Sequence, residues 1–372
     1  MRRPIVLLFA SIGALSVLAA LGYLYVDRRA DRLLAAEIAR LSADRGGLVT
    51  VDSTDVEPWS RTATLRGVAW RTEDGGRSTV DTLAAENVTL DDAGAPARAE
   101  RLRLAGVRVA TGAERLVAAE ITVDGVDLTP LRGGSSFDPS AAKRLVEDAH
   151  RLIRGPIRAR DARWTARWGT ITAARVDLAL EREQDALVAL VLEIDGAAFT
   201  ADAAAPLFVP GRAAGTSRAQ ARRLDGEDMV EFRVETRFVD ETGTAIAELA
   251  VDSRWRAPPG WPGSRGIPAL GATRLSWQRA RERESEASPI TRSAVALAAS
   301  ASSLLTGDEA RLVRAREALA AFIADPASLT VTLQPETLVS LPELLLTAAI
   351  SPARLADRLD LAIIGPDTSA PR

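Results

Sequence analysis

Leu65-Arg66-Gly67-Val68-Ala69-Trp70, Leu104-Ala105-Gly106-Val107-Arg108-Val109 and Val123-Asp124-Gly125-Val126-Asp127-Leu128 are three copies of one pattern: apolar, any residue, Gly, Val, any residue, apolar. A fourth stretch, Glu86-Asn87-Val88-Thr89-Leu90, carries Asn at the Gly position. The marker residues stand at 67, 87, 106 and 125, a period of 19 to 20. One strand and its return fit in about 20 residues. Turn chemistry falls between the copies, at Glu73-Asp74-Gly75-Gly76 and Asp91-Asp92-Ala93-Gly94. Glycine weakens a strand unless a bend is wanted there, so the Gly-Val step is expected to mark a bulge or bend in each unit. Units of this kind stack, each burying its apolar face against its neighbours.

Downstream, Asp138 and Pro139 suit the cap and first turn of a helix running to Arg154, with Leu145, Val146, Ala149, Leu152 and Ile153 on one stripe. Strands then resume. Ala162, Trp164, Ala166 and Trp168 share a face, and Ile194-Asp195-Gly196 echoes the repeat. Val230, Phe232, Val234, Thr236 and Phe238 alternate with Glu231, Arg233, Glu235 and Arg237, then turn at Asp240-Glu241-Thr242-Gly243 into a return strand, Ala245 to Trp255. Such alternation predicts an antiparallel sheet with one wet face. Thr273 to Gln278, beyond a Pro- and Gly-rich loop at 257–268, reads as that return strand's next partner. The C-terminal region reads as largely helical. Ser288 and Pro289 open a helix to about Leu305, Thr306 with Glu309 forms a capping box for one to Ala324, and Asp325-Pro326 stops it. Leu329 to Leu333 and Leu361 to Ile364 read as strands, with short helices starting near Ser340 and Ser351.

At the other end, Pro4 to Val26 is uncharged and long enough to cross a bilayer, which takes roughly 20 helical residues. Tyr23 and Tyr25 sit where interface anchors sit. The expected organisation is a transmembrane anchor over residues 1–27, a juxtamembrane helix over 28–46, a repetitive β-rich ectodomain over 47–287, and a mostly helical region over 288–372 packed on the sheet. The fold class is α+β and β-rich: an elongated, curved antiparallel sheet of short repeats with helices packed on it.

Chemistry is sparse. There are no cysteines, which excludes disulfides, thiol nucleophiles, thiolate-bound zinc and iron–sulfur clusters. His150 is the only histidine, and its place near a helix end accounts for it through the helix dipole. No G-x-S-x-G turn or phosphate loop follows a strand. The net charge of −3 is small and well mixed, so no nucleic-acid footprint exists. Neither enzyme activity nor a cofactor or metal is expected. Trp164, Trp168, Phe232, Phe238, Trp255 and Trp277 fall on apolar strand faces and are the candidate lining of an apolar groove.

With a short N-terminal end, one span, a juxtamembrane helix and serial strands punctuated by the Gly-Val step, residues 4 to 200 resemble the AsmA-like envelope proteins. They are also similar to smaller single-span periplasmic proteins of the alphaproteobacterial type. The resemblance implies a protein of the bacterial inner membrane with the bulk of the chain periplasmic. It implies a β-rich groove concerned with envelope lipid handling or scaffolding, with lipid and other envelope proteins as partners besides the membrane. The alternative expectation is a protein-interaction module for envelope assembly that binds no lipid.

Overall fold

The computed structural model describes residues 49–366, apart from 58–60, 72–75, 91–95, 128–151, 167–168, 184–185, 202–211, 225–227, 241, 257–268, 281–287, 306–308, 341–342, 345–346 and 348–351. The expected anchor (1–27), the juxtamembrane helix (28–46), His150 and Trp168 lie outside the described residues. Among the described residues no helix is long and apolar enough to cross a membrane.

The fold is an open antiparallel β-sheet with few helices, most of them C-terminal. The described residues form two compact units. The first ends at Arg167 and takes back Ile171–Leu180; the second holds Trp168–Thr170 and everything from Glu181 on. β9 (Gly169–Glu183) therefore gives residues to each.

In the first unit β1 (Val49–Thr50) and β2 (Ser53–Glu57) lie end to end along β3 (Thr62–Arg71). β3 pairs with β4 (Arg77–Glu86), and β4 and β5 (Thr89–Leu90) lie end to end along β6 (Pro96–Thr111). β7 (Glu114–Asp127) and β8 (Ile157–Ala166) follow in order. The buried side chains keep to every second position, skip two residues, and resume. Leu65 and Val68 flank such a skip, as do Val80 and Leu83, Leu104 and Val107, Ala118 and Ile121, and Val123 and Val126. The skip is the sequence repeat made physical. Gly67, Gly106 and Gly125 have φ of +62°, +64° and +61°, and Asn87 has +52°. At Gly67, Gly106 and Gly125 one left-handed residue breaks the pleat's strict alternation, so the apolar side chains on both sides of it reach the same core. The skips at Asp81 and Ala119, which lie opposite Gly67 or Gly106, come without one.

The strand registers line these positions up across the sheet. Asp52, Gly67, Asp81, Gly106, Ala119 and Asp161 form one transverse row. Arg61, Asn87, Glu100, Gly125 and Gly155 form a second. Along each strand the two rows are six residues apart, as at Asp81 and Asn87 or at Glu100 and Gly106. From β4 to β8 the left-handed residue sits on the second row that the chain crosses, at Asn87, Gly106, Gly125 and Asp161, whereas the chain entering β3 has one on each row, Arg61 at +52° and Gly67. That rule, combined with antiparallel pairing, sets the period of 19 to 20.

The helix expected from Asp138 to Arg154 lies outside the described residues up to residue 151, and its expected last residues, Ile153 and Arg154, belong to the sheet. Ile153 makes an antiparallel bridge to Val126, and the Arg154 N–H donates to the Gly125 carbonyl, so the chain joins the sheet at the second row. Leu152 and Ile153 are buried in the core of the first unit.

In the second unit β10 (Ala186–Ala201), β11 (Arg212–Arg223), β12 (Met229–Val239), β13 (Ala245–Arg256), β14 (Ala269–Arg279) and β15 (Ser328–Leu333) pair successively. β16 (Val339–Ser340) continues beside β14, and β17 (Ala362–Ile364) pairs with β15. The echo at Gly196 is a true bulge: its φ is +58°, and the register slips between Ile194 and Ala197. α1 (Pro289–Leu304) is capped by Ser288, whose hydroxyl accepts from the Thr291 N–H. α2 (Ala310–Ala324) departs from expectation. Its N-cap is Glu309, which makes no side-chain cap bond. A capping box on Thr306 would need Thr306 itself at the cap position, and the helix begins three residues later. The two helices cover β12 to β15 and β17 through Ala298, Leu319 and Phe322, packed with Phe238, Ala247, Leu249, Trp277, Leu329 and Ile363, and α1 also approaches β11. α3 (Pro352–Arg358) leads to a smaller cluster of Leu359, Leu270, Val339 and Trp255.

Candidate functional site

Between those two clusters the same face of the sheet is left half-exposed. Directly paired residues of antiparallel strands share a face. The register therefore places Leu190, Ala221, Phe232 and Ser253 in one row, Leu192, Ala219, Val234 and Val251 in the next, and Ile194, Ser217, Thr236 and Leu249 in a third. Down the middle, β11 offers only small side chains: Ala221, Ala219 and Ser217, then Gly215. On either side stand larger ones, Leu190, Leu192 and Ile194 from β10, and Phe232 and Val234 from β12. The outcome is a furrow along β11 with an alanine floor and apolar walls. Phe232 is 37% exposed, between Ala221 and Ser253 on the neighbouring strands. Among the described residues, none of Leu190, Leu192, Ala219, Ala221, Phe232 and Val234 is part of the clusters packed under the helices.

From Arg223 to Ser217 the furrow runs about 20 Å, at about 3.4 Å per residue. The Ser217 and Thr236 hydroxyls, 2.9 Å apart, close one end. Arg223, opposite Val230, stands at the other. A Cβ on Gly215 would sit 2.1 Å from the Arg237 carbonyl, so that backbone approach requires glycine.

The other face is charged on β11, β12 and β13, whereas on β10 it buries Leu187, Ala189 and Val191 before reaching Glu193. Arg233 pairs with Glu235 at 2.7 Å and Asp252 at 3.5 Å, Arg254 with Glu231 at 3.9 Å, and Arg218 with Glu193 at 3.5 Å. These are solvated pairs, worth little to stability one by one. The first unit carries a tighter ladder. Asp124 accepts from Arg101 at 2.9 Å and Arg158 at 2.6 Å, Arg101 reaches Glu86, and Arg158 reaches Asp177. Burial pushes the Asp124 carboxyl up, but the hydrogen bonds and charges of Arg101 and Arg158 outweigh it and hold the group below its ordinary value. The hydrogen bond from Arg103 likewise lowers Glu120. Every carboxylate in this ladder is matched by an arginine, an arrangement that holds strands in register and leaves no acid poised for proton transfer. Among the described residues no group of His, Asp or Glu has metal-binding geometry.

The six aromatic residues singled out from the sequence are dispersed. Phe238 and Trp277 meet, ring centroids 6.1 Å apart and tilted by 37°, under α1 and α2. The Trp277 indole donates to the Pro326 carbonyl at 3.2 Å. Trp255 packs with Leu270 near α3. Trp164 is half-buried in the first unit, opposite Leu116. Phe232 alone of the described five lines the furrow. Sequence reading missed Leu190, Leu192, Ala219, Ala221 and Arg223. Two signals were present: an unbroken apolar run from Ala186 to Leu192, and small residues at every second position from Ala213 to Ala221.

Residues 271–365 match a family model described as "Uncharacterized protein". That span runs from β14 through the three helices to the residue after β17. No curated protein matches the chain.

Proposed function

We propose that this protein is anchored in a bacterial inner membrane by residues 4–26, with its β-rich body in the periplasm, and that it handles envelope lipid in the furrow along β11. The supporting observation is the furrow itself: an apolar face, half-exposed between two helix-covered clusters, with an exposed phenylalanine in its wall. Large apolar side chains left open to water cost free energy unless something covers them, and an acyl chain suits a floor this shallow and narrow. The resemblance to AsmA-like proteins belongs to the same proposal.

Two experiments test it. Mass spectrometry of lipids extracted from the purified protein is expected to find acyl chains that diminish when Ala219 is replaced by Phe. Absence of any co-purifying lipid would remove the lipid reading. Carbonate washing and protease treatment of spheroplasts address the anchor: the chain should stay with the membrane, and its body should be cut from outside. A protected body would end the periplasmic assignment.

A second reading, a protein-interaction module, draws on α1. Leu297 is 41% exposed there, beside exposed Ala296, Ala299, Ser300 and Ala301. Crosslinking in intact cells separates the two: a discrete partner band lost in Leu297→Glu favours interaction through this helix.

A further inference from the structure

We infer that the furrow takes a single-chain amphiphile with an anionic head, a long-chain fatty acid lying along β11 with its carboxylate against Arg223. The inference rests on the lipid reading above and narrows it. Three features carry it.

The first is the charge on this face. Among the described residues of β10 to β14 that point to the furrow side, the ionisable ones are Arg223 and Arg279. Arg279 stands at the C-terminal end of α2, where it donates to Asp325 at 2.9 Å. Arg223 stands at the furrow's end, and its carboxylate neighbour, Asp228, is 4.0 Å away, with side chains 54% and 78% exposed. A solvated contact of that length yields readily to a closer, bidentate carboxylate.

The second is width. Neighbouring strands lie about 4.8 Å apart, so the walls rise from strands about 10 Å apart over a floor one strand wide. Leu190 and Leu192 face Phe232 and Val234 across that floor. One methylene chain fits between them; two side by side do not.

The third is polarity along the length. The furrow is cationic at Arg223, apolar over Ala221 and Ala219, and ends at the neutral Ser217 and Thr236 hydroxyls. A carboxylate has one favourable end. The guanidinium fork matches its planar geometry, and the methylene chain covers the alanines.

The test uses the full-length protein in nanodiscs of neutral phosphatidylcholine, titrated with oleate, with monoolein as a neutral ligand of the same chain, and with two-chain phosphatidylglycerol. Oleate is expected to bind most tightly. Arg223→Gln should weaken oleate about tenfold and leave monoolein within about twofold, the size of effect for one charge-assisted bidentate contact. Arg223→Lys should recover part of the loss. Ala219→Phe or Ala221→Phe, with circular dichroism unchanged, should abolish both single-chain ligands by filling the floor. If Arg223→Gln leaves the ratio of oleate to monoolein unchanged while the floor variants abolish both, the anionic head is wrong and the lipid reading stands. Tighter binding of phosphatidylglycerol than of oleate overturns the single-chain assignment. Binding that ignores the floor variants overturns the furrow, and failure of every ligand to bind the unaltered protein takes the lipid reading with it.

Discussion

At the residue scale the four markers are not equivalent, and their surroundings say why. A Cβ on Gly106 would lie 2.0 Å from the Asp81 carboxylate and 2.9 Å from its Cβ. Asp81 is held there by two bonds from Arg108, at 2.9 and 3.1 Å. Gly67 meets Asp52 in the same way. Gly125 meets the Arg154 Cβ only at 3.3 Å, and Gly112, in the turn between β6 and β7, meets nothing within 4 Å. All four have positive φ, so each substitution by Ala carries a backbone cost of about 1 kcal/mol. Steric displacement adds to it in a graded way. We predict that Gly106→Ala and Gly67→Ala destabilise by about 2–4 kcal/mol and Gly112→Ala by about 1, with Gly125→Ala between, read from urea unfolding midpoints. Equal shifts at Gly106 and Gly112 would contradict the close approach of Asp81. Asn87 shows the permissive case: its row neighbour is Glu100, to which its Nδ2 donates at 2.6 Å, and Asn tolerates this conformation.

At the scale of elements, two predictions concern helix starts and strand pairs. The Ser288 cap on α1 makes its hydrogen bond, and Glu309 at the start of α2 makes none. Ser288→Ala should therefore cost about 1 kcal/mol, and Glu309→Ser should gain a few tenths, both read from thermal unfolding. The charge ladder gives a pH dependence. Asp124 and Glu120 have carboxyls lowered in the fold. A lowered carboxyl contributes stability above its unfolded value, about 3.9 for Asp and 4.3 for Glu, and loses it as pH falls through the folded value. The first unit should lose stability in acid below about pH 4, and Arg101→Gln should raise the Asp124 midpoint measured by carboxyl NMR. An Asp124 midpoint at or above that of an unfolded aspartate would refute the arrangement.

At the scale of the molecule, the matched span 271–365 does not coincide with a self-sufficient core. Trp277, 5% exposed, and Phe322, 1% exposed, pack with Phe238, Ala247 and Leu249, which come from β12 and β13, upstream of that span. Cutting at 271 also strips β14 of its β13 partner and bares an edge. We predict that residues 271–365 alone show no cooperative unfolding, whereas residues 181–372 do. A cooperative transition in the shorter fragment would place the folding unit downstream of β13.

What the sequence by itself determined is what local chemistry dictates. The Gly-Val step read as a bend because few residues other than glycine or asparagine accept positive φ, and Gly67, Gly106, Gly125 and Gly196 all have it. The hairpin of β12 and β13 read correctly because polar and apolar residues alternate along it. The start of α1 followed from Ser288 and Pro289. The tertiary structure decided the rest, since it depends on which residues lie opposite one another. Register aligned the markers into two rows, placed Ile153 in a bridge to Val126, and set the small residues of β11 between the large ones of β10 and β12. No window on the sequence contains Leu190, Ala221 and Phe232 together; only the pairing of three strands makes them neighbours, and the furrow exists only through that pairing.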